Sequence, residues 1–245
     1  MNFAVLVVSF MVSLSSAFGA TKSPFRFDEF REEVKTMAMD HHTPGHSYSS
    51  ARKMIMQEID IKQDNSGYYV QEVYCKIKYR TKVSPRTMPN HTAINIEHTW
   101  PRSRFGVRKG SAEFRVREAD LHHLYPSDSV ANSTRGNFKF TQFPGKLPGL
   151  RGCPSSKRGK ISAVGEQGFE PPENHKGNVA RALFYFAVRY DLKIAQHEEM
   201  FLRQWNIIDP VDSEEIKRND SIEDIQGNRN PFVDDPQLVD LITNF

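Results

Sequence analysis

The spacing of apolar residues divides the chain into helical and extended stretches. Residues 25–39 carry Phe25, Phe30, Val34 and Met37 at helical intervals. Pro44 and Gly45 mark a turn over 42–47. Residues 49–59 then predict a second helix with a serine N-cap. The segment 68–79 (YYVQEVYCKIKY) is β-branched, aromatic and alternating, as in a strand or hairpin. Residues 93–97 and 121–125 predict two short strands, and Ser127 or Asp128 opens a short helix or turn ending at Arg135. Glycine, proline, serine and basic residues make 144–160 a loop. Residues 179–190 (VARALFYFAVRY) are apolar nearly all round and predict a buried helix, in which Arg181 and Arg189 need partners. Residues 201–207 suggest one more helix, and the polar stretch after Pro210 reads as turn-rich. The pattern predicts an α+β fold, without repeats, in one domain over residues 21–245.

Charge sharpens this picture only through its distribution. The formal net charge of +3 names no partner. Between Thr99 and Glu118, however, six basic residues face only Glu113 and Glu118, and 146–160 holds five basic residues and no acid. A basic middle followed by an acidic end suits a cleft for a polyanion. Residues 2–20 are uncharged and largely apolar, with small residues at Ala17, Gly19 and Ala20, so 1–20 reads as a secretory signal peptide. No later segment could span a bilayer. Cys75 and Cys153 are too few for a cysteine-based zinc site. Outside the cytosol they are candidates for one disulfide, which would stabilise by about 4 kcal/mol.

Candidate chemistry concentrates in the middle. Ile96-Glu97-His98-Thr99-Trp100-Pro101 precedes Asp120-Leu121-His122-His123-Leu124-Tyr125-Pro126, and Asn132-Ser133-Thr134-Arg135-Gly136-Asn137 follows. The order is strand, basic loop, strand, polar helix. Phosphodiester hydrolysis needs a base for water, positive charge at the phosphate and a proton for the leaving oxygen. Histidine, with an unperturbed pKa near ~6.5, supplies a base near neutral pH. Glu97 and Asn132 offer the hard oxygen ligands that magnesium prefers. Neighbours on a strand point to opposite faces, so Glu97 and His98 need a bulge, a strand end or a metal between them to share one site.

These blocks resemble the endonuclease I family of secreted and periplasmic nucleases, within the ββα-metal (His-Me finger) superfamily. Glu97-His98-Thr99-Trp100-Pro101-Arg102-Ser103 is similar to its E-H-x-x-P-Q-S core, with Arg102 in place of the usual glutamine. Residues 120–126 are similar to D-x-H-x-L-x-P, and 131–137 to V-N-x-x-R-x-N. Further blocks at 48–52, 169–172, 176–181, 205–212 and 226–232 follow in the family's order, so the likeness spans roughly 45–235. The resemblance implies a ββα-metal core surrounded by helices and long loops. It implies His98 as general base and Glu97 with Asn132 as ligands of one Mg2+, for which Mn2+ can substitute. The expected function is sequence-nonspecific cleavage of DNA and RNA to 5′-phosphate and 3′-hydroxyl ends. The family also brings an arginine to the scissile phosphate from the loop between the strands; that loop is shorter here and lacks the cysteines of some members. Arg102, Arg104, Arg108, Lys109 and Arg135 are the candidate nucleic-acid contacts. Alternative readings are an RNA-preferring nuclease on the same scaffold and a secreted nucleic-acid-binding protein without catalysis.

Other polar residues fit structural roles. His122 and His123 suit support of the site, and a main-chain carbonyl on their strand is expected to accept the His98 Nδ1 proton. Arg135 either binds phosphate or braces Asp128. Asp40-His41-His42 lacks the strand and acidic motifs of a phosphoesterase centre. Glycosylation sequons stand at Asn90, Asn132 and Asn219. A glycan on Asn132 would block the metal site, which favours a secreted or periplasmic bacterial protein. No membrane and no obligate protein partner is expected.

Overall fold

The computed structural model describes residues 27–245 apart from Pro44 and Lys146, so the predicted signal segment 1–20 lies outside the described residues. In chain order come α1 (Phe27–Met39), α2 (Tyr48–Met54), β1 (Ile61–Asp64), β2 (Gly67–Gln71), β3 (Lys78–Tyr79), β4 (Ile94–His98) and α3 (Ala112–Ala119). Then follow β5 (Leu124–Asp128), α4 (Ser129–Arg135), β6 (Lys139–Phe140), β7 (Lys157–Lys160), β8 (Gln167–Glu170) and α5 (Lys176–Arg189). The chain closes with α6 (Gln196–Ile208), α7 (Ser213–Gln226), α8 (Pro231–Asp234) and α9 (Leu238–Leu241). Small sheets β1-β2-β3, β4-β5 and β6-β8-β7 are set among these helices, an α+β fold. Among the described residues no helix is long and apolar enough to cross a membrane.

The packing hub is α5. Its residues Val179–Val188 are all buried, and α1, α6, β6 and β8 contribute Val34, Leu202, Phe140 and Phe169 to the same core. The expected partners of its arginines are present. Arg181 forms a two-pronged pair with Glu215 (2.8 and 2.6 Å), and Arg189 lies 3.5 Å from Asp120. A second cluster joins Ile55, Val70, Ile94, Ile96, Leu121, Leu124 and Ile222. The strand pair β4-β5 contributes Ile94, Ile96 and Leu124 to this second cluster.

Three predicted elements are corrected and one is resolved. Residues 121–125 do not form one strand: Asp120 accepts the His122 N–H, Leu121–His123 make a 3-10 turn, and β5 starts only at Leu124. The strand or hairpin expected at 68–79 is a hairpin, β2 and β3 paired antiparallel around a turn. The loop over 144–160 ends in β7, which pairs with β8. The tail after Pro210 is largely helical. Asp212 caps α7, whose buried stripe is Glu215, Asn219, Ile222 and Gln226. That stripe has helical spacing but is mostly polar, so apolar periodicity misses it. Gly227 ends α7 at φ 85°, where a Cβ would lie 2.2 Å from the His41 carbonyl oxygen.

Candidate active site

β4 and β5 pair antiparallel with Glu97 opposite Tyr125 and His98 opposite Leu124. α4 follows β5 without a gap because Asp128 caps it, accepting from the Val130 and Ala131 N–H groups at 3.0 and 2.9 Å. This strand–strand–helix unit brings Glu97, His98 and Asn132 onto one cavity of about 470 Å³, whose wall includes Tyr48, Asn95 and Arg102. Asn95 and Glu97 share a face of β4 by strand alternation. His98 is the last residue of that strand. The alternation that would send it to the opposite face ends there, so adjacent residues line one cavity.

Each candidate group is held by one atom and open at another. Asn132 Nδ2 donates to Asn95 Oδ1 at 2.8 Å and to the Ile96 carbonyl at 3.2 Å. The carbonyl can only accept, so the amide nitrogen is fixed there and Asn132 Oδ1 takes no hydrogen bond among the described residues. Glu97 is 2% exposed, and its Oε1 accepts from the Tyr74 hydroxyl at 2.9 Å and meets Arg135 Nη1 at 2.7 Å. Glu97 Oε2 takes no hydrogen bond among the described residues. Burial pushes this carboxyl up to about 6, against the opposing pull of Arg135 and Tyr74. A desolvated carboxylate and an amide that line one cavity, each with an oxygen that takes no hydrogen bond among the described residues, fit a hard divalent cation. Among the described residues there is no group of three or more His, Cys, Asp or Glu that could hold a metal. Magnesium keeps several waters, so a Glu–Asn pair is a sufficient protein share.

His98 Nε2 lies 3.1 Å from the Glu118 carbonyl oxygen. That oxygen can only accept, so Nε2 carries the proton and Nδ1 has the lone pair. This corrects the expected tautomer: the anchoring carbonyl comes from α3, not β5, and it meets the other ring nitrogen. The ring packs beside Tyr48 and His123, at 5.1 and 5.3 Å between centroids. Burial, aided by His123, holds His98 well below the usual histidine pKa and therefore neutral.

The basic candidates separate. Arg102 lines the cavity, largely exposed, with Nη1 2.7 Å from Glu118 Oε1. Arg104 is drawn away to Glu198 at 3.0 Å and stacks over Trp100. Arg108 and Lys109 are exposed and do not line the cavity. Arg135 does not brace Asp128. It is 1% exposed, pairs with Glu97, and donates to the His98 and Thr99 carbonyls at 3.0 and 2.6 Å. His122 and His123 are buried against the carbonyls of Asn228 and Arg117 and stay outside the cavity. Cys75 and Cys153 form a disulfide. Asn219 is buried with both ends of its amide bonded, which leaves no room for a glycan in the folded chain.

The family model for Endonuclease I matches residues 27–237. The chain belongs to the endonuclease I family. An extracellular ribonuclease of Bacillus amyloliquefaciens is 37% identical over 168 residues, covering 60% of this chain and 53% of that protein. A periplasmic deoxyribonuclease of Aeromonas hydrophila is 34% identical over 164 residues, covering 61% and 67%. Endonuclease-1 of Buchnera aphidicola subsp. Baizongia pistaciae is 32% identical over 221 residues, covering 84% and 82%. The chain spans about half the length of the Bacillus ribonucleases it matches.

Three contributors to this candidate site stand outside the sequence-predicted residues, and two of them carry no local sequence signal. Tyr74 reaches Glu97 from a turn 23 residues upstream, and nothing local in the sequence marks it. Glu118 acts through its carbonyl, which any residue type supplies. Asn95 was legible, because a polar residue two positions before Glu97 must share its strand face.

Proposed function

We propose that this endonuclease I family member is a secreted, sequence-nonspecific endonuclease carried by one domain over 21–245. It hydrolyses DNA and RNA phosphodiesters, with His98 as general base and one Mg2+ held by Glu97 and Asn132. The observation that carries this reading is that Glu97, His98 and Asn132 line one cavity, while Glu97 Oε2, Asn132 Oδ1 and His98 Nδ1 take no hydrogen bond among the described residues. The relatives named extracellular ribonuclease and periplasmic deoxyribonuclease support both the exported location and the two substrates.

The division of labour follows from those atoms. When bound, magnesium would offset the negative charge that builds on the phosphate and the leaving oxygen. His98 Nδ1 takes a proton from water while Nε2–H stays anchored on the Glu118 carbonyl. The water oxygen forms a bond to phosphorus, and the bond from phosphorus to the 3′ oxygen breaks. A solvent proton completes the 3′-hydroxyl, and the phosphate stays on the 5′ end. Water as nucleophile requires no 2′-hydroxyl, so both nucleic acids are substrates. Arg135 holds Glu97 ionised and positioned, and Arg102 at the cavity wall is the best-placed cation for a phosphate. Binding through phosphates weakens with salt.

Incubating the mature protein with supercoiled plasmid, linear DNA and RNA, with Mg2+ or with EDTA, tests this directly. All three substrates are expected to disappear with Mg2+ and persist with EDTA. Survival of all three with Mg2+ would rule out the nuclease reading. Loss of RNA alone would select a ribonuclease, the reading that the Bacillus relatives' name favours.

A further inference from the structure

One buried carboxylate outside the cavity ties the turn that holds Glu97 from behind to the junction that leads to Asn132. Glu72 is 1% exposed and follows β2. Its Oε1 accepts from the N–H groups of Cys75 (2.7 Å) and Ile77 (3.0 Å). Its Oε2 accepts from Tyr74 N–H (2.9 Å) and Asp128 N–H (3.0 Å). Four main-chain donors fill the roughly four lone-pair positions a carboxylate offers.

The geometry around it runs in two directions. In one, the turn 72–77 closes through Glu72 N–H to the Ile77 carbonyl and docks on β5 through Val73 N–H to the Pro126 carbonyl. The disulfide at Cys75 and the Ser155 and Ser156 hydroxyls on the Tyr74 carbonyl hold its outer side. So fixed, Tyr74 delivers its hydroxyl to Glu97 Oε1. In the other direction, Asp128 is the residue where β5 becomes α4, and Asn132 lies one helical turn beyond it. Glu72 therefore holds Tyr74 behind Glu97 and the first turn of α4 with a single group.

We infer that Glu72 is a positioning residue for the metal-holding pair, setting Glu97 Oε2 and Asn132 Oδ1 toward one cation. The inference rests on the proposed function above. It differs from a general brace in what it predicts: removal should damage cation affinity in particular. Outer-shell partners of metal ligands change affinity by roughly 10–100-fold when replaced.

Glu72→Gln tests this with little change of volume. An amide nitrogen cannot accept, so whichever way the amide turns, two of the four N–H groups lose their partner. Mn2+ binding, read by the free-ion EPR signal at a temperature where circular dichroism shows the variant folded, should weaken at least about ten-fold. Cleavage at saturating Mn2+ should return to within about three-fold of wild type, since His98 keeps its own anchor on Glu118. Glu199→Gln is the comparison: Glu199 braces Arg203 and the Phe245 N–H, far along the chain from the site. It should lower the urea midpoint and leave Mn2+ affinity unchanged. A folded Glu72→Gln with wild-type Mn2+ affinity overturns the inference, and so does equal weakening in Glu199→Gln. If Glu72→Gln does not fold, Tyr74→Phe, which keeps the turn and removes only the hydroxyl on Glu97, is measured instead. Several-fold weaker Mn2+ binding supports the positioning role, and unchanged binding overturns it. Absence of Mn2+ binding in the wild type, or binding that Glu97→Ala leaves intact, fails the metal reading itself and the inference with it.

Discussion

Replacing Arg135 by Met would leave the Glu97 carboxylate buried without its cation. Arg135 supplies an ion pair at 2.7 Å and hydrogen bonds to the His98 and Thr99 carbonyls, all in a buried setting. Removing one partner of a buried pair costs about 3–5 kcal/mol. The pH dependence separates the charge from the packing. With Arg135 present, burial already pushes the Glu97 carboxyl up to about 6. Without it, the folded-state pKa must rise further, while the unfolded-state value stays that of an ordinary carboxyl. At pH 5 the folded-state carboxyl is mostly protonated in both proteins, so only the lost hydrogen bonds and packing count. Above pH 6 the wild type ionises while the variant retains its proton or bears an unpaired charge. The variant's folded state then binds more protons than its unfolded state, and its stability falls with pH. Each additional unit of upward shift adds about 1.4 kcal/mol to the gap.

Urea unfolding of Arg135→Met and wild type in EDTA, at pH 5 and pH 8, measures this. The difference in unfolding free energy should be larger at pH 8 by at least about 1 kcal/mol. Glu97→Gln in the Arg135→Met background should remove most of that pH-dependent part, because an amide does not ionise. A destabilisation equal at both pH values would show that Arg135 acts by packing alone and refute the charge argument.

Four other outcomes are expected. His98→Ala should lower cleavage about 10²–10⁴-fold while DNA binding in a filter or polarisation assay stays within a few-fold; parallel loss of both would count against His98 as base. Opening the disulfide with the paired Cys75→Ser and Cys153→Ser changes, across a separation of 78 residues, should lower stability by about 4 kcal/mol on the loop-entropy model, read as a fall in urea midpoint. Burial lowers the pKa of His122 and His123 to about 4 and of His175 to about 3. Their contribution is present above the unfolded value near ~6.5 and is lost as pH falls towards 4; unchanged chemical denaturation between pH 7 and pH 4.5 would contradict it. Arg181→Met should destabilise by about 3–5 kcal/mol, because Glu215 loses both bonds of its two-pronged pair; a loss below about 1 kcal/mol in the same assay would show the pair is replaceable.

What the sequence disclosed depended on whether the buried face of an element was apolar. α5 was legible because Val179–Val188 carry few polar side chains, and α4 because Asp128 is a strong cap ahead of a short polar run. α7 was not, because Glu215, Asn219 and Gln226 occupy the positions where apolar residues are sought, each satisfied by a partner outside the helix. The start of β5 slipped for a local reason: the Asp120 side chain competes for main-chain donors and wins three residues for a turn.

The candidate site divides in the same way. Asn95 with Glu97 on a strand, and Asn132 with Arg135 on a helix, are same-face pairs that the periods 2 and 3.6 dictate. With β4 packed on α4, Arg135 meets Glu97 at 2.7 Å rather than Asp128. The cations were harder, because basic residues along the chain say nothing of where the acids fold back. Glu198 claims Arg104 from 94 residues away, and Glu118 meets Arg102 across 16. Glu118 also anchors His98 Nε2 through its carbonyl. Its main chain thereby sets which nitrogen of His98 is free, while its side chain restrains the cation at the cavity wall. On the function proposed above, a phosphate arriving at Arg102 would compete with that carboxylate but not with the carbonyl, leaving the His98 anchor in place.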